Sequence, residues 1–94
     1  MNKLLGDSEV RRMLAGLKGW EREGDFIVRS FEFEAFMDGM RFLNRVAKVA
    51  ERLDHHPDIH VRYTQIKLSI QTHSAGGLTA KDFGLAAEID RIPL

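Results

Sequence analysis

No cysteine occurs in the 94 residues, which excludes disulfides and thiolate metal sites. A net charge is absent too: fourteen basic residues balance fourteen acidic ones, so no global field draws the chain to nucleic acid or to an anionic membrane. No run approaches the roughly 20 apolar residues of a membrane span. Met1-Asn2-Lys3-Leu4-Leu5-Gly6-Asp7 meets charge too early for the apolar core of a signal peptide. A cytoplasmic protein is the expectation. Ala75-Gly76-Gly77 matches neither G-x-G-x-x-G nor a P-loop, so there is no nucleotide signature. No Ser-His-Asp arrangement is readable from the spacing, and no basic stripe is interleaved with aromatics. What remains is ordinary for one globular domain spanning residues 1–94, with 44% hydrophobic and 30% charged residues. So short a chain buries a modest core, which makes self-association an expected source of extra stability.

The periodicities give an element order. Ser8 is placed as an N-cap with Glu9 in the first turn. Val10, Met13, Leu14 and Leu17 then recur at helical spacing until Gly19. Trp20 to Arg22 reads as a short strand, Gly24-Asp25 as a turn, and Phe26 to Phe33 as a second strand with Ile27, Phe31 and Phe33 on one face. Glu34 to Leu53 carries the longest helical pattern. Phe36, Met40, Leu43, Ala47 and Ala50 form one stripe, and Phe42, Val46, Val49 and Leu53 form a second, about 110° away. So wide an apolar surface suits either a deeply seated core helix or one whose second stripe also packs on another subunit.

After Pro57, Ile59, Val61 and Tyr63 alternate with polar residues, Thr64-Gln65 is placed as a turn, and Ile66, Leu68 and Ile70 mark a half-buried strand. Tyr63 and Trp20 are expected in the core or sheet. Thr79 caps a last helix running to Ile92, which Pro93 ends, and Asp82 completes a capping box three residues after Thr79. The order α-β-β-α-β-β-α predicts an α+β domain, a four-stranded antiparallel sheet with three helices on one face.

All four histidines fall between Glu51 and Asp82. His55 and His56 stand where the long helix must stop before Pro57, and His73 stands at the end of an alternating strand. Element ends hold side chains at a cleft rather than in a core. Imidazole titrates near neutrality, so one ring donating a proton and another accepting one is a natural use. Glu51, one turn before His55, and the adjacent Asp54 are carboxylates able to orient an imidazole. Metal binding is a second option, with His55, His56, His60 and His73 as nitrogen ligands and Asp54 or Asp58 as oxygen ligands. Against it, Pro57 breaks the helix that the H-H-x-x-x-H spacing requires. The third option is that these are surface or capping residues.

Read in register, Glu51-x-x-x-His55-His56-Pro57, Tyr63, Thr72-His73, Gly77-Leu78-Thr79 and Asp82 resemble the signature of the pterin-4a-carbinolamine dehydratase family. The resemblance continues upstream through Arg45-Val46-Ala47, Phe31-x-Phe33 and Gly19-Trp20, from about Leu14 to Ile92. It departs at Thr64, where many relatives carry asparagine, and at Ile59, where animal members carry an aromatic. The resemblance implies the same fold and loss of water from a 4a-hydroxytetrahydropterin to give a quinonoid dihydropterin, with no metal and no cofactor. That reaction recycles the cofactor of aromatic amino acid hydroxylases. It implies His55, His56 and His73 as the catalytic set. Asp54, Pro57, Gln71, Thr72 and Ser74 join them around the pterin, and Glu51 and Asp82 support the site. It further implies dimers through sheet edges or tetramers through the long helices. Some members also stabilise a dimeric transcription factor, so a protein-binding module is the alternative reading.

Overall fold

The computed structural model describes residues 3–94, so Met1 and Asn2 of the amino-terminal stretch read above lie outside the described residues. The elements are α1 (Asp7–Leu14), β1 (Glu21–Glu23), β2 (Phe26–Glu32), α2 (Phe36–Leu53), β3 (Asp58–Arg62), β4 (Gln65–Ile70), a 3-10 turn at His73–Ala75, and α3 (Ala80–Asp90). They form the expected α-β-β-α-β-β-α order and one antiparallel sheet, β1-β2-β4-β3. The 3-10 turn is an addition. No helix among the described residues is long and apolar enough to cross a membrane.

Alternation along the two central strands decides which face is covered. Ile27 pairs with Ile70 and Phe31 with Ile66, so these side chains share a face with Leu68, and all five are buried. Val10 of α1, Phe42 and Val46 of α2, and Leu85, Ala86 and Ile89 of α3 close over them in one core. The helix α2 lies close to the sheet because Gly39 faces it. A Cβ there would meet Ile66 Cδ1 at 3.0 Å and Phe33 Cδ2 at 3.4 Å. The Phe42 ring consequently reaches both Phe31 and Phe33, with centroids 4.7 and 5.3 Å away.

That approach corrects the reading of the two α2 stripes. Phe42 and Val46 of the second stripe are buried against the sheet, with Val49 and Leu53 partly so. The first stripe is divided: Ala50 is buried and Leu43 packs on the core, whereas Phe36, 43% exposed, is left outside beside Met37 at 57%. Ile59 and Val61 of the edge strand β3 share the helix-covered face through their pairing with Leu68 and Ile66, yet nothing covers them and each is 43% exposed.

Several boundaries moved for local reasons. Gly6, not Ser8, is the N-cap of α1, because its carbonyl accepts the Val10 amide and its own N–H donates to Glu9 Oε1. That helix ends at Leu14, and Leu17 returns to the core through a turn rather than a further helical repeat. The β3–β4 loop is Tyr63-Thr64, since Arg62 already faces Gln65 in the ladder. Tyr63 takes the positive φ of 52° that Thr64, branched at Cβ, resists. Its ring is therefore at the hairpin tip, 74% exposed, and not in the core. Trp20 is buried as expected, and its indole N–H donates to both Asp90 oxygens, of which Oδ1 also holds Arg29. The last helix stops at Asp90, short of Ile92, because Pro93 disfavours helical angles at the residue before it.

The amino-terminal stretch is fastened to the loop that leads into α3. The Leu5 amide donates to the Leu78 carbonyl at 2.8 Å, and a Cβ on Gly77 would lie 2.9 Å from Leu4 Cδ1. Leu4 and Leu5 thus lie along the loop that carries His73.

Candidate active site

The long helix ends in a way that aims its two histidines. Asp54 adopts left-handed angles, φ 51° and ψ 44°, its amide donates to Glu51 O, and the His55 amide donates to Ala50 O. This is a Schellman ending with aspartate where glycine is commonest. It reverses the chain at once, and Pro57 follows as a stop. On the facing side, β4 runs out at Ile70 and Thr72 bridges to Gly77, enclosing the 3-10 turn of His73–Ala75. Gly76 takes the left-handed φ of 75° that closes this loop.

Between these two ends is an open cleft of about 340 Å³, lined by Asp54, His55, His56, Gln71, Thr72, His73, Ser74 and Lys81. Of the residues assigned to the site, only Pro57 and the two supporting carboxylates lie outside that lining. Lys81 was not foreseen. Larger hollows lie on the outer face of the sheet and between α2 and the chain's carboxyl end, and His60 is the one histidine in either. His60 pairs with Lys67 across β3 and β4, away from the other three. Among the described residues, no three histidine, aspartate or glutamate side chains converge as a metal site would require.

Each imidazole in the cleft has its own partner. His55, whose side chain is 12% exposed, is bonded through Nε2 to Oδ1 of fully buried Asp82 at 2.6 Å. The other Asp82 oxygen accepts the Thr79 N–H at 2.8 Å and the Thr72 hydroxyl at 2.9 Å. Thr72 in turn accepts from the Thr79 hydroxyl, and Thr79 Oγ1 accepts the Lys81 N–H. The hydrogens are all accounted for in one direction, and no buried side-chain polar atom among the described residues lacks a partner. The expected capping box at Thr79 and Asp82 is present, and the same carboxylate also holds His55. With Asp82 accepting throughout, Nε2 carries the His55 proton and Nδ1 is left as an acceptor. The Thr72 hydroxyl is committed to this network, so it supports the cleft from behind.

His56 is bonded through Nε2 to Glu51 Oε2 at 2.5 Å, at the exposed margin. Glu51 therefore serves His56, not His55, because the left-handed turn at Asp54 carries His55 inward to α3. Asp54 itself lines the cleft without a side-chain bond to any imidazole. Gln71 Nε2 lies 3.0 Å from His73 Nδ1. A primary amide offers either its N–H₂ or, rotated, its carbonyl, so Gln71 can serve neutral or protonated His73.

An imidazole backed by a buried carboxylate thus shares one open cleft with an imidazole held by a reversible amide. Comparison with known proteins agrees with the sequence signature. The profile of the family described as Pterin 4 alpha carbinolamine dehydratase matches residues 3–92. A protein of Mycobacteroides abscessus carrying that family's name is 48% identical over 87 residues, covering 93% of each chain. One of Roseiflexus castenholzii is 47% identical, covering 98% of this chain and 99% of its own. The crystal structure of a Brucella melitensis protein described as a transcriptional coactivator/pterin dehydratase superposes with a TM-score of 0.89 at 33% identity, covering 94% of this chain and 96% of that one. Signature, fold and relatives all agree over nearly the whole length, and the chain belongs to the pterin 4 alpha carbinolamine dehydratase family.

Proposed function

We propose that the chain is a hydro-lyase that converts 4a-hydroxytetrahydrobiopterin, or a close pterin analogue, to quinonoid dihydropterin and water by histidine acid–base catalysis. The observation that carries this reading is the Asp82-backed His55 facing His73 across one cleft. The reaction breaks the C4a–O bond and the N5–H bond and forms the C4a–N5 double bond. Hydroxide leaves poorly unless it is protonated, and the N5 proton must be taken as the double bond forms. His55 is the base: its Nδ1 accepts the N5 proton, and Asp82 stabilises the imidazolium that results, the role a buried carboxylate plays behind a catalytic histidine. His73, protonated, is the acid that delivers a proton to the departing hydroxyl. Gln71 then rotates to bond the neutral ring. His56, fixed by Glu51, and the backbone from Gln71 to Ser74 bind and orient the flat bicycle. A 4a-hydroxy adduct is what a pterin-dependent hydroxylation leaves behind, so the proposed place is cofactor recycling for an aromatic amino acid hydroxylase.

The test is the decay of freshly generated 4a-hydroxytetrahydropterin, with and without the protein, in chelator-treated buffer. Acceleration that survives chelation is expected. A folded protein that leaves the spontaneous rate unchanged would overturn the reading.

A second reading concerns self-association and rests on the apolar surface left open by Phe36 and Met37 of α2, with Ile59 and Val61 at the β3 edge. Covering such surface by a second copy supplies stability that a core this small lacks. A homodimer or homotetramer is expected by sedimentation velocity, and Met37→Glu, which adds a charge to that surface in every copy, is expected to lower the mass. A monomeric mass for the unaltered chain would instead favour a foreign dimeric partner, such as a transcription regulator.

A further inference from the structure

The His55 ring has a hollow on its other side. Leu53 at the end of α2 and Leu85 and Ala87 of α3 line a groove of about 390 Å³, and His55 and Lys81 line both this groove and the cleft. Lys81, Gly84, Leu85 and Glu88 follow one another at helical spacing, so one face of α3 forms the groove's wall. Glu88 is held by Arg52 and Arg91, each at 2.9 Å, which keeps its charge directed at those partners.

Gly84 has no structural reason to be glycine. It lies inside α3 without a positive φ, and a Cβ there would meet nothing within 4 Å. In a helix interior glycine is the poorest choice apart from proline. What its bareness does is leave the groove open beside His55.

Pterin chemistry gives that opening a use. N5 lies between C4a and C6 in the ring, and the amide edge is on the far side. A side chain working at the C4a hydroxyl or the N5 proton is therefore next to whatever C6 carries. We propose that the groove is the subsite for the C6 substituent, an alkyl or hydroxyalkyl chain, and that Gly84 sets the length it accepts. Leu53 and Ala87 pack on the carbon chain, and Lys81 reaches its polar end. The assignment rests on the dehydratase reading, with His55 acting at the C4a–N5 bond.

Gly84→Leu fills the groove without reaching into the cleft, and Gly84→Ala fills it in part. Each is compared with the unaltered protein on two 4a-hydroxytetrahydropterins, one with 6-methyl and one with a 6-dihydroxypropyl chain. For Gly84→Leu, KM for the longer substrate is expected to rise on the order of tenfold, with KM for the 6-methyl compound and both kcat values within about twofold. Gly84→Ala should fall between, and the thermal midpoints should be unchanged or higher. Equal effects on the two substrates, or none on either, would overturn the groove assignment while the dehydratase reading stood. If the unaltered protein accelerates neither substrate, both fall together.

Discussion

Alanine at His73 or at His55 is expected to lower kcat on the order of 10²-fold or more, the range that general acid–base groups supply. His73 is exposed, so its removal should move the thermal midpoint far less than the rate; His55→Ala also leaves Oδ1 of buried Asp82 without its partner and should cost about 1–3 kcal/mol of stability as well. A near-normal rate in His73→Ala would remove it from the chemistry altogether, leaving His55 and His56 to account for turnover.

Asp82→Asn should damage both activity and stability, because a neutral amide cannot replace this carboxylate in either orientation. With its oxygen toward His55, the N–H₂ group faces the Thr79 N–H and the Thr72 hydroxyl, donor against donor. With its N–H₂ toward His55, Nε2 must become an acceptor, and the proton moves to Nδ1, the atom proposed to take the N5 proton. In a comparable triad the wrong tautomer alone lowers kcat about 10⁴-fold, so kcat should fall here on the order of 10²-fold or more. The conflict at a fully buried carboxylate should also cost about 1–3 kcal/mol of stability. Thr79→Ala provides the control. It removes the capping hydroxyl but keeps the Thr79 N–H and the His55–Asp82 bond, so it should destabilise the fold while kcat of the folded protein stays near normal. Parallel losses of kcat in the two variants would mean that Asp82 matters only as a cap.

The parts of this molecule that local rules govern were legible in the sequence. Alternation in Ile66, Leu68 and Ile70, the Thr79–Asp82 box and the stop at His55-His56-Pro57 each depend on residues within a few positions of one another. The parts that depend on how close two elements come were not. Periodicity shows that α2 has two apolar stripes, but only the contact of Gly39 with Ile66 and Phe33 decides which stripe meets the sheet. The loop at Tyr63-Thr64 carries no Asn-Gly signal, and its position follows from the register with β4. In the site, the histidines announced themselves at element ends, and Glu51 was legible as a carboxylate able to orient one, but which ring each carboxylate serves was not. Asp82 had a sufficient local explanation as a cap, and its second bond, to a ring 27 positions earlier, exists only once α2 and α3 are packed. Lys81 and Gly84 carry no motif at all and become visible only as walls of a cleft and a groove.

The bond from the Leu5 amide to the Leu78 carbonyl has a kinetic meaning as well. Contacts between distant parts of a chain form late, because loop-closure entropy is lost before they return any stabilisation. The two central strands and α2 can associate without Leu4 or Leu5, whereas the loop around His73 is fastened only when the beginning of the chain meets its last third. The loop around His73 is thus expected to be among the last regions to become ordered in folding. Fraying of the amino-terminal residues would loosen it first, disarming the site while the core stays intact.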